Sequence, residues 1–278
     1  MVVTGASSGF GRSMTELLLK KGDNVFATAR DPSTLADLTT TYPAKQLVTA
    51  ALDVTSATAI TTAFAQAKSS FGQIDVVFNN AGQNLVGEVE AVPDEMARKL
   101  MEINFWGAVG VSREAIKTFR EVNPAGAGGV LLQMSSAATS YSAAGMSYYA
   151  ASKWAIEGFS ESLSREMDPK WNIKIITLEP GWFKTDIFKN TSVMPSHPAY
   201  NDPASALMQV RGIANGVEGG ASVESANALI YKLASGEVEV QKEHMTVPVG
   251  EQAFWLAKKK LEALKMMVEI YEPLSAGI

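Results

Sequence analysis

A glycine-rich turn follows three apolar residues at the start of the sequence and constrains how the rest of the chain can fold. The turn, Thr4 to Gly11 (Thr-Gly-Ala-Ser-Ser-Gly-Phe-Gly), separates the apolar run Met1–Val3 from a helical pattern over Arg12–Lys21. Glycine permits a tight turn, lets the backbone approach a pyrophosphate, and lets the helix pack close to its strand. The N–H groups and dipole of that helix favour phosphate. The pattern predicts a dinucleotide-binding unit; the alternative is a turn that needs glycine for geometry alone.

Short apolar runs alternate with helical patterns from this turn onward. The predicted strands are Met1–Thr4, Asn24–Ala29, Leu47–Leu52, Ile74–Phe78, Gly129–Met134, Ile173–Leu178 and Thr246–Val249. The predicted helices are Arg12–Lys21, Ala57–Phe71, Asp94–Glu121, Tyr148–Met167 and Ser222–Ser235. This alternation indicates a doubly wound α/β fold, a parallel sheet with helices on both faces. The first strand is short, so either the sequence is truncated at its start or the strand is that short.

We expect one domain over residues 1–278, with a substrate loop at 181–220 and a helical extension at 251–278. The net charge of −5 is spread along the chain, which argues against a nucleic-acid surface. The chain has no cysteine and only two histidines, His197 and His244, so we expect neither disulfides nor a bound metal. No secretory signal or membrane-spanning run is apparent, and a cytoplasmic location is the expectation.

Arg30 indicates which dinucleotide the turn accepts. A cofactor with a free ribose 2′-hydroxyl calls for an acidic residue about 20 positions after the turn. Ala29 and Arg30 occupy that place. Arginine pairs with a 2′-phosphate in two-pronged geometry, and Ser7 could donate to the same group. The sequence therefore predicts NADP(H) rather than NAD(H), unless Arg30 is an ordinary surface arginine.

Polar residues and glycine also follow the third and fourth predicted strands. These are Asp53 and Val54 after one strand and Asn79, Asn80, Ala81 and Gly82 after the next. Ligands of open α/β sheets bind at the carboxyl ends of the strands. Asp53 could accept from the adenine amino group, and Asn80 and Gly82 could line the adenosine side, while Asn79 braces the strand. Turn chemistry alone is the alternative.

Four polar residues could carry out acid–base chemistry next to this cofactor. Tyr149 and Lys153 share one face of a predicted helix, and the ammonium is expected to lower the pKa of the tyrosine. Ser136 ends a buried strand, where its hydroxyl can bond a substrate oxygen. Asn104 is a polar residue in an apolar helical stretch, suited to bracket a water. Each alone has an ordinary alternative: Tyr149 and Lys153 could be an exposed helix face, Ser136 a serine that ends a strand, and Asn104 a core amide or a helix bend. Together they suit protonation of the alkoxide that hydride transfer to a carbonyl produces.

These motifs make the chain resemble the short-chain dehydrogenase/reductase family from residue 1 to about Gly250. The family pattern falls on Thr4 to Gly11, Asn79 to Gly82, Asn104, Ser136, Tyr149, Lys153, Pro180, Gly181 and Thr185. Ser136 and Tyr149 have the family's thirteen-residue spacing, which excludes their neighbours Ser135 and Tyr148. The overall pattern is similar to the 17β-hydroxysteroid and retinol dehydrogenase-like reductases.

The resemblance implies a seven-stranded parallel sheet, a complete Asn-Ser-Tyr-Lys tetrad and an NADP-preferring enzyme. It implies cofactor contacts from Gly5, Ser7, Ser8, Gly9, Phe10, Gly11, Arg30, Asp53, Val54, Asn80, Ala81, Gly82, Tyr149, Lys153, Pro180, Gly181, Phe183 and Thr185. Such an enzyme transfers hydride between NADP(H) and a carbonyl or alcohol carbon. A non-catalytic NADP(H)-binding sensor or scaffold is the alternative, and an epimerase or dehydratase on the same fold is a third class.

The segment after Gly181 would be the family's mobile lid. Its apolar residues include Trp182, Phe183, Ile187, Phe188, Met194, Tyr200, Leu207 and Met208. Candidate substrate contacts are Asn84, Ala143, Met146, Trp182 and Phe188. Apolar and aromatic linings suit bulky, poorly charged substrates, so we expect an apolar ketone or aldehyde. The alternative is that these residues only cover the sheet edge.

The tail from Glu251 is amphipathic, with apolar residues around a Lys258–Lys260 run. Such a helix could lie on a membrane, but packing on the sheet or on a second subunit is the expectation. A homodimer is the favoured assembly, because a tail after the last strand can block one of the contacts by which the family forms tetramers.

Overall fold

A computed structural model describes residues 1–185, 191–214, 220–240 and 245–276, with side chains 213 and 214 left out. The strands are β1 (Val2–Val3), β2 (Val25–Ala29), β3 (Leu47–Ala51), β4 (Val76–Asn79), β5 (Leu85–Val86), β6 (Gly129–Met134), β7 (Ile173–Pro180), β8 (Ser192–Val193) and β9 (Thr246–Val249). The helices are α1 (Gly9–Lys21), α2 (Ala36–Thr41), α3 (Ala57–Phe71), α4 (Asp94–Met101), α5 (Ala108–Glu121), α6 (Ser147–Glu166), α7 (Ala206–Ala214), α8 (Val223–Ser235) and α9 (Glu251–Ser275).

Seven strands form one parallel sheet in the order β3-β2-β1-β4-β6-β7-β9, as expected for the doubly wound fold. The connections run outward in one direction from β1 and in the other from β4. The strand order therefore reverses between β1 and β4, where the register pairs Val2 with Phe26 on one side and with Val77 on the other. A crevice opens at the carboxyl ends of such strands. The central strand β1 is only two residues long, shorter than the predicted Met1–Thr4.

The sheet residues alternate between two apolar cores. Phe78 and its neighbours face α1 and α8, where Met14 and Ile230 are fully buried. Val77 faces α3 and α5, against Phe64 and other apolar side chains of that layer. Because the central strands β1, β2, β4 and β6 are buried along most of their length, their ends at the carboxyl edge hold a fixed geometry for a site.

The structure contains elements that the sequence patterns did not predict. The expected continuous helix over 94–121 is interrupted by a π-helical turn at Glu102–Gly107. A two-stranded sheet pairs β5 with β8, and α7 lies in the stretch expected as a loop. The tail, in contrast, is one long helix, α9, as its sequence predicted. Within the described ranges, no helix combines the length and apolarity needed to cross a membrane.

Candidate active site

A cleft of about 1290 Å³ lies over the carboxyl ends of the central strands. Pockets for a single small molecule usually measure about 300–1,000 Å³, so this cleft has room for a dinucleotide and a second molecule. Its walls include the glycine turn on one side and the residues around Tyr149 on the other. The sheet therefore brings together the two distant parts of the sequence that the motifs identified.

The glycine turn has the backbone geometry that a phosphate cradle requires. Gly5 and Gly9 adopt positive φ angles of 66° and 53°, which side chains disfavour. A Cβ atom on Gly11 would lie 2.2 Å from the carbonyl oxygen of Gly5, so only glycine lets α1 approach this closely. Ser8 precedes α1 and forms no side-chain cap bond. The turn and the first N–H groups of α1 therefore fit a pyrophosphate.

Asn80 fixes the position of the glycine turn. Its side-chain amide donates to the carbonyl oxygens of Thr4 and Gly5, at 2.9 and 3.3 Å. The Thr4 hydroxyl in turn accepts from the backbone N–H groups of Asn80 and Ala81 at 2.9 and 3.0 Å. Asn79 braces the neighbouring strand, since its buried amide donates to the carbonyl oxygen of Ala108 at 2.8 Å. These bonds hold β1 and β4 in register where the crevice opens.

Arg30, Ser7 and Asp53 line the same end of the cleft. Arg30 is exposed at the end of β2. Asp53 accepts from the backbone N–H and the hydroxyl of Thr55 at 2.9 and 2.7 Å. Those bonds, with a smaller contribution from the charge of Arg30, keep the pKa of Asp53 below its ordinary value. One carboxylate oxygen of Asp53 thus stabilises the turn after β3. The next residue, Val54, packs against Gly107.

Tyr149 is 6% exposed and hydrogen-bonded to the side chain of Ser136. The expectation that Lys153 lowers the pKa of this tyrosine is wrong for the protein without cofactor. Burial raises the pKa above its ordinary value, and the bond with Ser136 opposes this only partly. The Lys153 ammonium lies 5.7 Å from the centre of the tyrosine ring. The phenol is therefore protonated at neutral pH and ready to donate.

Lys153 is buried at the base of the cleft. Its Nζ donates to the carbonyl oxygen of Met134 at 3.1 Å. Burial lowers the pKa of the ammonium from 10.5 to about 8, against the opposing influence of Glu157. Lys153 therefore still carries its charge at neutral pH, close to the point where it can release a proton.

Asn104 lies in the π-helical turn, and its side-chain amide is fully bonded within the protein. Its Nδ2 donates to the carbonyl oxygen of Gln83 at 2.9 Å and to the Ser152 hydroxyl at 3.0 Å. Its Oδ1 accepts from the backbone N–H of Gln83 at 2.8 Å. A Cβ on Gly82 would lie 3.3 Å from this Oδ1 and 3.6 Å from the Nζ of Lys153. Asn104 and Lys153 thus both lie next to Gly82, and the water that Asn104 was predicted to bracket stays a prediction.

Residues 1–195 match the family model for short chain dehydrogenases. The chain belongs to the short-chain dehydrogenase family. It is 37% identical over 99% of its length to the oxidoreductase calM of Penicillium decumbens, of which it covers 91%. A solved short-chain dehydrogenase from Streptomyces avermitilis superposes with a TM-score of 0.86 at 31% identity, covering 99% of this chain and 98% of the other. Mouse estradiol 17-beta-dehydrogenase 2 is 34% identical over 67% of this chain, which covers 49% of that protein.

These comparisons confirm the resemblance drawn from the motifs. This short-chain dehydrogenase is an oxidoreductase of a family that binds nicotinamide cofactors, and its sheet is the family's sheet. The cofactor turn and the tetrad both lie within the matched residues. The remaining cofactor candidates of this dehydrogenase are also in place: Pro180, Gly181, Phe183 and Thr185 line the cleft. A Cβ atom added to Gly9 would lie 3.5 Å from the Cβ of Thr185. The Phe183 ring packs edge-on against the Phe10 ring, with 5.2 Å between the ring centres.

Four of the five substrate candidates of this dehydrogenase lie in the cleft wall: Asn84, Ala143, Met146 and Trp182. The fifth, Phe188, lies outside the described residues. Asn84 is 4% exposed and its Oδ1 accepts from the backbone N–H of Leu85, which gives it a structural role. Ala143 and Met146 follow the Ser136 turn and carry the apolar character of the wall.

The sequence patterns missed wall residues that come from two helices. Ala206, Gln209 and Val210 belong to α7, and Gln252 and Leu256 belong to the first turns of α9. Gln252 accepts from the backbone N–H of Trp182 at 2.5 Å. The tail of this dehydrogenase therefore helps to form the cleft. The apolar spacing from Glu251 onward predicted a helix but could not show which part contacts the lid.

A buried ion pair fastens α7 to the body of the protein. Arg211 bonds Glu88, and their side chains are 7% and 1% exposed. Arg211 also donates to the carbonyl oxygen of Met194 at 2.6 Å. A buried pair of this kind fixes geometry, because separating the partners would leave an unpaired buried charge.

The carboxyl groups of Glu157 and Glu179 meet close to Lys153, a second feature that the sequence patterns missed. Glu157 accepts from the Ser135 hydroxyl at 2.5 Å, and Glu179 accepts from the Thr139 hydroxyl at 2.7 Å. Burial and the neighbouring Glu179 raise the pKa of Glu157 from 4.5 to about 8. Glu157 follows Lys153 by one helical turn, which is a detectable signal, but its meeting with Glu179 depends on the fold. Ser135, which the spacing excludes from catalysis, donates its hydroxyl hydrogen bond to Glu157 of this pair.

Proposed function

We propose that this protein is an NADPH-dependent reductase of bulky, apolar ketones or aldehydes. The observation that carries the proposal is that the buried Tyr149 lines the same cleft as Ser136, Lys153 and the glycine turn. NADPH, when bound, supplies the hydride that reduces the carbonyl carbon. The hydroxyls of Ser136 and Tyr149 bind the carbonyl oxygen, and Tyr149 donates the proton that the developing alkoxide needs.

The ionisation states of the tetrad support the direction of reduction. A tyrosine whose pKa is raised is a phenol at neutral pH, which is the form that donates a proton. Lys153 lies one helical turn away and is charged at pH 7, since its pKa is about 8. Its positive charge stabilises the tyrosinate that remains after the donation. Oxidation of an alcohol would require the tyrosinate from the outset.

The preference for NADPH is supported by Arg30 and Ser7. Both line the cleft: Ser7 is part of the glycine turn, and Arg30 follows β2 where an acidic residue would bind a free 2′-hydroxyl. The exposed guanidinium has the planar, two-pronged form that suits a 2′-phosphate. Asp53 lies close enough to influence Arg30 electrostatically, yet its carboxylate is engaged by Thr55.

The preference for an apolar substrate is supported by the wall opposite the glycine turn. Ala143, Met146, Val210 and Leu256 are its apolar members, and Gln209 and Gln252 are polar but uncharged. A charged substrate would lose its hydration there without gaining a partner of opposite charge among these side chains. The cytoplasmic location expected from the sequence stays a prediction.

The deciding experiment follows NADPH consumption by the purified protein with a panel of apolar ketones and aldehydes. Tyr149→Phe removes the proton donor and is expected to lower kcat by about 10²–10⁴-fold while NADPH still binds. Tyr148→Phe is the matched control, because within the described part of the chain the hydroxyl of the adjacent Tyr148 donates to the Val89 carbonyl oxygen at 3.2 Å and not to a tetrad residue. Tight NADPH binding without turnover on the whole panel, or equal turnover by the Tyr149→Phe variant, would overturn the proposal.

A further inference from the structure

The outer part of α9 is an amphipathic helix without a partner in the described chain. Its first turns are anchored: Ala253 is buried, and Lys260 donates to the Thr139 carbonyl oxygen at 2.9 Å and lies over the Trp154 ring. Every residue from Leu261 to Ala276 is exposed. A helix that leaves a broad apolar face in water is usually incomplete without something that covers it.

The exposed apolar residues follow a coiled-coil spacing. Leu261, Leu264, Val268 and Tyr271 recur at intervals of three and four residues, and they are 44–57% exposed. We call these four residues the α9 seam. Beside it lie Met267 and Leu274, whereas Ile270 lies farther round the helix. At roughly 100 Å² for each half-exposed side chain, the four seam residues and these two offer about 600 Å². Each partner in a standard interface contributes about 800 Å², so this face supplies about three quarters of what a standard pairing buries.

The charges along α9 favour protein over membrane as the covering surface. Four lysines, Lys258, Lys259, Lys260 and Lys265, are matched in number by four glutamates, Glu251, Glu262, Glu269 and Glu272. A helix that lies on a membrane carries a polar face rich in lysine and arginine, and the polar face of α9 has no such excess. The charges are also unevenly distributed along the helix: the Lys258–Lys260 run lies in its first half, and the two charged residues nearest its end are Glu269 and Glu272.

We propose that α9 pairs antiparallel with α9 of a second copy of this chain through the α9 seam. Segregated charges attract each other when two identical helices run in opposite directions, and repel when they run in parallel. One antiparallel register covers all four seam residues: Leu261 faces the second copy's Tyr271, and Leu264 faces its Val268. In this register Lys258 lies opposite the second copy's Glu272 on both sides of the two-fold axis. The same register places Lys265 opposite the second copy's Lys265 at the axis, where Glu262 and Glu269, one turn away on each helix, offset part of the repulsion.

The first test compares masses in solution by sedimentation velocity on the full chain. Leu264→Lys combined with Val268→Lys places two charges in the seam, and the assembly is expected to fall to half the mass of the wild type. Met266→Lys is the matched control: Met266 is 59% exposed but lies about 180° around the helix from the seam. None of these exposed side chains supports the fold. A wild type and a seam variant of equal mass would overturn the proposal.

The second test determines the orientation by exchanging charges. Glu272→Lys alone is expected to weaken the assembly several-fold, since it places like charges together on both sides of the axis. Lys258→Glu combined with Glu272→Lys is expected to restore it, because the two positions face each other only in the antiparallel pair. No rescue by the double variant would exclude this register. Binding of the monomer to vesicles of anionic phospholipid through the seam residues would instead make the membrane the covering surface.

Discussion

Lys153→Met is expected to stabilise the cofactor-free protein at neutral pH while abolishing its activity. Burial lowers the pKa of Lys153 from 10.5 to about 8. At about 1.36 kcal/mol per pKa unit, this difference corresponds to roughly 3 kcal/mol of unfavourable free energy for the buried charge. Methionine is similar in length and apolar, and it avoids that free energy. The Met134 carbonyl oxygen loses a hydrogen bond worth about 1 kcal/mol, which leaves a net gain of about 2 kcal/mol.

The pH dependence separates this effect from ordinary repacking. Below pH 8 Lys153 is charged in both the folded and the unfolded chain, so the whole unfavourable free energy is present. Between pH 8 and 10.5 the unfolded chain binds more protons, so wild-type stability rises with pH relative to the variant. The advantage of Lys153→Met is therefore expected to be greatest at pH 7 and to disappear towards pH 10.5.

Urea denaturation at pH 7 and pH 10, followed by circular dichroism without cofactor, measures both quantities. Lys170→Met at an exposed position is the control, with an expected change within about 0.5 kcal/mol at both pH values. A Lys153→Met variant that is less stable than the wild type at pH 7 would refute the argument. So would a gain in stability that is the same at pH 7 and pH 10.

Two further substitutions test the cofactor end and the carboxyl pair. Arg30→Ala is expected to weaken NADPH binding about 10–100-fold and leave NADH binding unchanged, as measured by fluorescence titration, because charge-assisted bonds to a phosphate are worth about 1.5–3 kcal/mol. Equal loss for both cofactors would contradict the assignment. Glu157 has a raised pKa of about 8, so the wild type loses stability as pH rises from 4.5 to 8. Glu157→Gln is expected to reduce that loss of unfolding free energy by roughly 2 kcal/mol or more, as measured by urea denaturation. The same dependence of unfolding free energy on pH in the variant and the wild type would contradict this role of Glu157.

The sequence predicted the seven sheet strands because each is an apolar run bounded by turn residues. The predicted and observed bounds of each strand differ by at most two residues. The strand predicted at Ile74–Phe78, for example, is observed at Val76–Asn79. The strands β5 and β8 were missed because two residues do not make a pattern. The interruption of the long helix at Glu102–Gly107 was missed because an asparagine in an apolar stretch is equally compatible with a regular helix.

The composition of the site was predictable where it depends on motifs and not where it depends on burial. Ser136, Tyr149 and Lys153 were found from spacing, and the fold brings them to one cleft. The ionisation of Tyr149 was wrongly predicted, because sequence identifies a nearby charge but not the loss of water around the phenol. The carboxyl pair was missed because Glu157 and Glu179 meet only through packing of α6 on β7.

The π-helical turn means that the helix carrying Asn104 contains one residue more than its packing requires. Such a turn accommodates an inserted residue while the α-helical segments on either side keep their orientation. A single deletion within Glu102–Gly107 would restore a regular helix and leave the buried faces of α4 and α5 in place, but it would displace the amide that bonds Gln83. Within this helix, the length of the chain can therefore change the chemistry without changing the architecture. Two relatives could share every core residue and still differ in whether they turn over a substrate.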